Sequence, residues 1–165
     1  MTETIKYAII GAGCMGQEHI LNIELIEDAE VVALCDTSEQ SIEESLKLLD
    51  NEVAIFKDYT DLIEANIANA FIIATPNFTH IDVLKDVMKS GVHLLIEKPL
   101  CTTVKDCQEF EKLAENYPGV IWTAMEYRYM PPVQRMINEI HNNTIGDLKM
   151  LSIREHRFPF LHKVD

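Results

Sequence analysis

The clearest chemistry in this sequence lies near its start. Gly11-Ala12-Gly13-Cys14-Met15-Gly16 follows an apolar run and opens a segment with helical spacing. In that setting each glycine has a physical reason. Gly11 permits a tight turn, and Gly13 lets the backbone approach a pyrophosphate. Gly16 lets the helix pack closely on the strand, while amides near Met15 turn partial positive charge toward the phosphates. Asp36 ends the second apolar run, 20 residues after Gly16, where an acid bonds the adenosine ribose hydroxyls. Its charge repels a 2′-phosphate, and Thr37 and Ser38 offer no cation to offset that, so the pattern favours NAD over NADP. Asp36 as a helix N-cap is the plainer alternative, and it is compatible with ribose binding.

Two later segments fall where further strands would end. In Ala74-Thr75-Pro76-Asn77-Phe78-Thr79-His80, Pro76 suits the first turn of a helix and Asn77 can face a cofactor. His80 has two readings, a functional side chain or a surface residue of that first turn. In Glu97-Lys98-Pro99, a lysine held near a nicotinamide ring can bind a substrate hydroxyl and shuttle its proton during hydride transfer. A solvated Glu–Lys ion pair is the competing reading.

The elements that must position these residues are legible as alternating runs. Tyr7 to Ile10, Val31 to Cys35, Ala54 to Phe56, Ala70 to Ala74, Val92 to Ile96 and Val120 to Ala124 are short and apolar on both faces. That pattern is expected of parallel strands covered on each side. Between them, Ile20, Ile23 and Leu25, then Ile42, Leu46 and Leu49, then Leu62 and Ile63, recur at helical spacing. Ile81, Leu84 and Met88, and then Phe110 and Leu113, do the same. Asp58 with Asp61, and Thr103 with Asp106, mark helix starts; Gly91 and Pro118-Gly119 mark stops. Strand and helix alternating five times predict a doubly wound α/β sheet over residues 1–122. Beyond it the rhythm changes. Pro131-Pro132 opens a helix ending near Asn142-Asn143, and LKMLSIREHRF alternates like a half-buried strand. One helix and one strand cannot bury a core alone, so residues 123–165 read as the beginning of a second, incomplete α+β domain. A strand there with an unpaired edge, around Lys149 to His156, predicts self-association into a homo-oligomer.

Composition excludes several classes. The 165 residues hold 14 basic and 27 acidic side chains, a net charge of −13, which argues against nucleic acid or an anionic membrane as partner. No apolar run is long enough to span a bilayer, and the first residues lack a signal-peptide pattern. Cys14, Cys35, Cys101 and Cys107 form no C-x-x-C pair and no zinc-ligand cluster. The expectation is a cytoplasmic protein with reduced thiols and no metal.

Taken together, AIIGAGCMG, Asp36, ATPNFTH and EKPL in this order resemble the Gfo/Idh/MocA oxidoreductases. Tyr127-Arg128-Tyr129, Pro131-Pro132 and Ile145-Gly146 resemble that family's entry into its second domain. The resemblance implies NAD-dependent hydride transfer with a small sugar or polyol substrate. It implies that Gly11, Gly13, Cys14, Met15 and Gly16 hold the pyrophosphate and Asp36 the ribose. Thr75, Pro76, Asn77 and His80 would line the nicotinamide half, and Glu97 would contact the nicotinamide riboside. Lys98 would be the catalytic lysine, followed by a bond to Pro99 that is often cis in the family. Arg128 falls where the family keeps an arginine near the active site, with a structural role equally open. The family's downstream histidine and aspartate motif is not reached, and neither His156 nor His162 stands in such a pattern. A non-catalytic NAD-binding or assembly module is therefore the alternative.

Overall fold

Period-two alternation in the apolar runs, broken once by a bulge at Val32, decides which face each residue takes. The computed structural model describes residues 4–156. Its strands are β1 (Ile5–Ile10), β2 (Ala29–Cys35), β3 (Ala54–Phe56), β4 (Ala70–Ile73), β5 (His93–Ile96) and β6 (Ile121–Thr123). Its helices are α1 (Cys14–Ile23), α2 (Glu39–Leu46), α3 (Tyr59–Ala65), α4 (His80–Val87), α5 (Val104–Ala114) and α6 (Pro131–His141). The strands are parallel throughout, in the order β3-β2-β1-β4-β5-β6. The expected doubly wound sheet is therefore present.

Alternate residues of the inner strands feed two separate cores. Ala8, Ile10, Ala33, Cys35, Phe71 and Ile73 pack on one face with Leu62, Leu84, Val87 and Phe110 from α3, α4 and α5. Ile9, Val31, Leu34 and Ile72 pack on the other with Ile20, Ile23 and Ile42 from α1 and α2. Burying each such side chain contributes about 1.5–3 kcal/mol, which is why the inner strands read as unbroken apolar runs. The outer strands depart from the expectation of two covered faces: Ile55 of β3 and Trp122 of β6 are each 48% exposed. An edge strand has a neighbour on one side only, so its cover thins. Leu25, expected on the first helix, lies beyond its end at Ile23 and is exposed.

Local signals set the helix ends. Asp58 caps α3 by accepting from the Thr60 amide, and Thr103 caps α5 by accepting from the Asp106 amide. Such caps contribute about 1 kcal/mol each. Gly91 closes the turn after α4 with φ +72°, a left-handed conformation that favours glycine. No helix among the described residues is long and apolar enough to cross a membrane.

The chain divides into two compact units, Met1–Ala124 and Met125–Asp165. Among its described residues the second holds a 3-10 turn, Glu126–Tyr129, followed by α6, which starts on Pro131 and Pro132 and stops at Asn142. Residues 148–156 form no strand, contrary to the alternation of LKMLSIREHRF. A strand exists only by pairing, and no described segment of this unit offers it a ladder partner. The exposed strand edge expected to drive self-association is accordingly absent from these residues. His162 lies outside the described residues, and His156 is exposed.

Candidate functional site

The site is built from the residues that immediately follow the strands. Each keeps one more rung of the ladder. Gly11 donates its amide to Cys35 O at 2.8 Å and Ala74 to Ile10 O at 2.8 Å. Glu97 donates to Ile73 O at 2.9 Å, Ala124 to Ile96 O at 2.8 Å, and Asp36 to Phe56 O at 3.2 Å. The backbone is thus fixed one residue past the sheet, at its carboxyl edge. Chain order reverses between β1 and β4, and the loops that leave these two strands flank the crevice where such sheets take ligands.

The three glycines of the first loop do different work. Gly11 has φ +97°, and a Cβ there would lie 2.5 Å from the carbonyl carbon of Ala74 and 2.7 Å from Thr75 N. It is what lets the two loops touch. A Cβ on Gly16 would run into the carbonyl of Gly11, so Gly16 seals α1 against the turn. At Gly13 a Cβ would meet nothing within 4 Å. This glycine leaves open space rather than relieving a clash, as a position approached by a ligand requires. No side chain caps α1 and its first turn carries no acid, so neither competes for the amides at its start. Cys14 and Met15, the next two residues, are exposed.

Asp36 is tied in on both carboxylate oxygens. One accepts from the Ala12 amide at 2.7 Å, the other from the Ser38 amide at 2.8 Å. The N-cap of α2 is Ser38, whose hydroxyl accepts from the Ser41 amide, so Asp36 has the loop rather than the helix as its business. Each oxygen retains a lone pair for a ribose hydroxyl. Sequence reasoning missed Ser45, fully buried on α2, whose hydroxyl donates to Ala12 O at 2.9 Å and fixes the same loop from behind. Its position three residues after Ile42 on the apolar stripe was the available signal.

On the other side of the crevice, Thr75 is half-buried and Pro76 and Asn77 are exposed on a 3-10 turn, Asn77–Thr79. The turn is held by Thr79, whose hydroxyl bonds Thr75 Oγ1 at 2.8 Å and Pro76 O at 2.7 Å. Glu97, only 6% exposed, accepts from His19 Nε2 at 2.9 Å and from the Lys98 amide at 3.2 Å. Burial pushes its carboxyl up, but the bond and charge of His19, with the Lys98 amide and charge, outweigh that and hold it below the usual carboxylate value. His19 was also missed by sequence reasoning. It lies three residues after Gly16 on the buried stripe of α1 with Ile20 and Ile23. Lys98 is exposed, and its bond to Pro99 is cis.

His80 is not a surface residue. It is 1% exposed, with Nε2 at 2.9 Å from Thr75 O and Nδ1 at 3.1 Å and 3.3 Å from Pro99 O and Leu100 O. Its polar atoms face backbone carbonyls, which leaves none for a ligand. Cys35 is equally withdrawn: burial, then the charges of Asp36, Asp58 and Asp61, push its thiol up to about 12. Arg128 is exposed on the 3-10 turn of the second unit. No group of histidine, cysteine and acidic residues among those described can hold a metal ion.

Known proteins resemble this chain in sequence and in fold. The rhizopine catabolism protein MocA of Rhizobium meliloti is 28% identical over 147 residues, covering 89% of this chain and 45% of that protein. An inositol 2-dehydrogenase of Pseudarthrobacter chlorophenolicus is 31% identical over 164 residues, covering 96% of this chain and 47% of that protein. A glucose-6-phosphate 3-dehydrogenase of Bacillus subtilis is 29% identical, covering 92% of this chain and 41% of that protein. The chain thus spans less than half the length of these curated relatives. Its fold matches the crystal structure of scyllo-inositol dehydrogenase from Lactobacillus casei with bound NAD(H) and scyllo-inositol. The TM-score is 0.82 at 21% identity, over 88% of this chain and 43% of that one. The profile of the Gfo/Idh/MocA oxidoreductases, an oxidoreductase family with an NAD-binding Rossmann fold, matches residues 5–125, and the chain belongs to that family.

Proposed function

We propose that this chain binds NAD(H) in the crevice between the loops after β1 and β4. In this reading it supplies the cofactor-binding part of an oxidoreductase that moves a hydride between nicotinamide and a sugar- or polyol-like substrate. The observation that carries the reading is the pairing of open space at Gly13 with the doubly anchored carboxylate of Asp36. Together they provide a cradle for phosphates and an acceptor for a ribose, with no cation to welcome a 2′-phosphate. Family membership supports the same cofactor, and the names of the inositol and glucose-6-phosphate dehydrogenases support the substrate class.

The roles then follow from position. Gly11, Gly13, Cys14, Met15 and Gly16 hold the pyrophosphate through backbone amides. Asp36 holds the adenosine ribose. Thr75, Pro76 and Asn77 line the nicotinamide half, and Glu97 orients the second ribose with the lone pairs that His19 and Lys98 leave free. Bound nicotinamide supplies the hydride acceptor or donor. Lys98 binds the reacting hydroxyl, takes its proton as the hydride leaves the same carbon, and returns it in the reverse direction. Residues 125–165 begin the part of the protein that covers the substrate.

A titration with NADH and NADPH, followed by the fluorescence of Trp122, the sole tryptophan, tests the first step. Saturable binding with NADH preferred is expected; binding of neither nucleotide overturns the reading. Lys98→Ala is expected to leave nucleotide affinity unchanged and abolish turnover of an inositol and sugar panel. Undiminished turnover would remove Lys98 from the chemistry.

A further inference from the structure

Lys98 sits on an exposed loop, and a side chain that must meet a reacting oxygen within a few tenths of an ångström needs a rigid base. The supply of that base is visible in His80. Its ring bridges two chain segments, one 5 residues before it and the other 19 and 20 residues after it: Nδ1 reaches Pro99 O at 3.1 Å and Leu100 O at 3.3 Å, and Nε2 reaches Thr75 O at 2.9 Å. These carbonyls belong to the two residues that follow Lys98 and to the loop after β4. The ring is 1% exposed and lies at the first residue of α4, so it is clamped by the core on one side and the two loops on the other.

We propose that His80 is a positioning residue: it locks the Thr75 loop to the Pro99–Leu100 segment and so fixes Lys98 relative to the nucleotide crevice. The path is short. Gly11 brings the phosphate loop against Ala74 and Thr75, Thr75 is held by His80, and His80 holds the two carbonyls after Lys98. The inference rests on the assignment of Lys98 and the crevice above, but the clamp itself is a property of this chain that can be measured without turnover.

The two halves of the clamp can be cut separately. The amide nitrogen of an asparagine reaches about as far as Nδ1, and that of a glutamine about as far as Nε2. His80→Asn therefore keeps the Pro99–Leu100 side, His80→Gln keeps the Thr75 side, and His80→Phe keeps only the volume. Amide exchange is read by NMR on the 165-residue chain at Thr79, bonded to Pro76 O, and at Lys98, bonded to Glu97 Oε2. Loss of one hydrogen bond should speed the affected amide about fivefold to tenfold. His80→Asn is expected to speed Thr79 alone, His80→Gln to speed Lys98 alone, and His80→Phe to speed both. A purely space-filling role predicts wild-type exchange in His80→Phe, and that result would overturn the proposal. If His80→Phe fails to fold, the opposite responses of the other two variants decide the matter. NADH titration of the same samples keeps the issues apart: no binding by the unsubstituted chain sinks the site assignment, while the exchange pattern still judges the clamp.

Discussion

The two sides of the crevice are made of different materials. On the β1–β2 side the working parts are mostly backbone: two glycines that clear space for turns, one that leaves open space, and a single side chain, the Asp36 carboxylate, fastened to two amides. On the β4–β5 side the working parts are side chains, and they are held by partners remote in sequence. Glu97 is held by His19, 78 residues earlier. A site built from backbone is written in glycines at fixed spacing. A site built from side chains is written in contacts that only the fold creates.

That contrast can be broken by substitutions on either side. The largest effect is expected from Gly11→Ala, which forces a side chain into φ +97° and against the backbone of Ala74. Urea unfolding should show a loss of about 2–4 kcal/mol. If stability survives intact, the loop is softer than its contacts indicate. His19→Ala comes next. It leaves Glu97 buried with one partner fewer, a loss of about 1–3 kcal/mol by the same measurement.

The pH dependence of that second variant sharpens the point. The folded carboxyl of Glu97 titrates below its ordinary value of 4.5, so between the two values the unfolded chain binds more protons. The pair therefore stabilises the fold above about pH 4.5, and its contribution fades as pH falls through the folded value. The unsubstituted chain should lose more stability than His19→Ala across that acid limb. Parallel acid limbs would detach His19 from the carboxylate.

Gly13→Ala should separate ligand effects from folding effects within the same loop. Its Cβ enters open space, so unfolding should shift by no more than about 0.5 kcal/mol while NADH affinity falls about tenfold. Equal affinity would move the phosphates away from Gly13. The smallest effect is chemical. Iodoacetamide should modify exposed Cys14 and spare Cys35, whose thiol stays protonated up to about pH 12, and NADH should slow the reaction at Cys14. Unaltered labelling with nucleotide bound would place the pyrophosphate elsewhere.

The same division explains what the sequence disclosed. Six strands, their parallel sense and the glycine loop were legible because apolar runs and turn glycines are local signals. Asp36 was legible because the second strand ends where it does. His80 was found but misassigned: it was placed as a lining or surface residue, and only the fold, which brings the two carbonyls after Lys98 to the ring beside that of Thr75, reveals how it is held. Ser45 and His19 went unseen because a polar residue on an apolar stripe carries no sign of its partner. The strand expected after Lys149 failed for a related reason, since alternation predicts a face but cannot supply a neighbour.

The rungs just past the strands have a consequence for how such a protein can change. Gly11 apart, where any Cβ strikes the backbone of Ala74, the residues Asp36, Ala74, Glu97 and Ala124 are each anchored through an amide that every residue except proline possesses. Ordinary substitutions at these places alter what is presented to a ligand without loosening the mount that presents it. Selection can therefore exchange the tools along this edge one at a time, and a lineage can move between substrates while inheriting the same workbench.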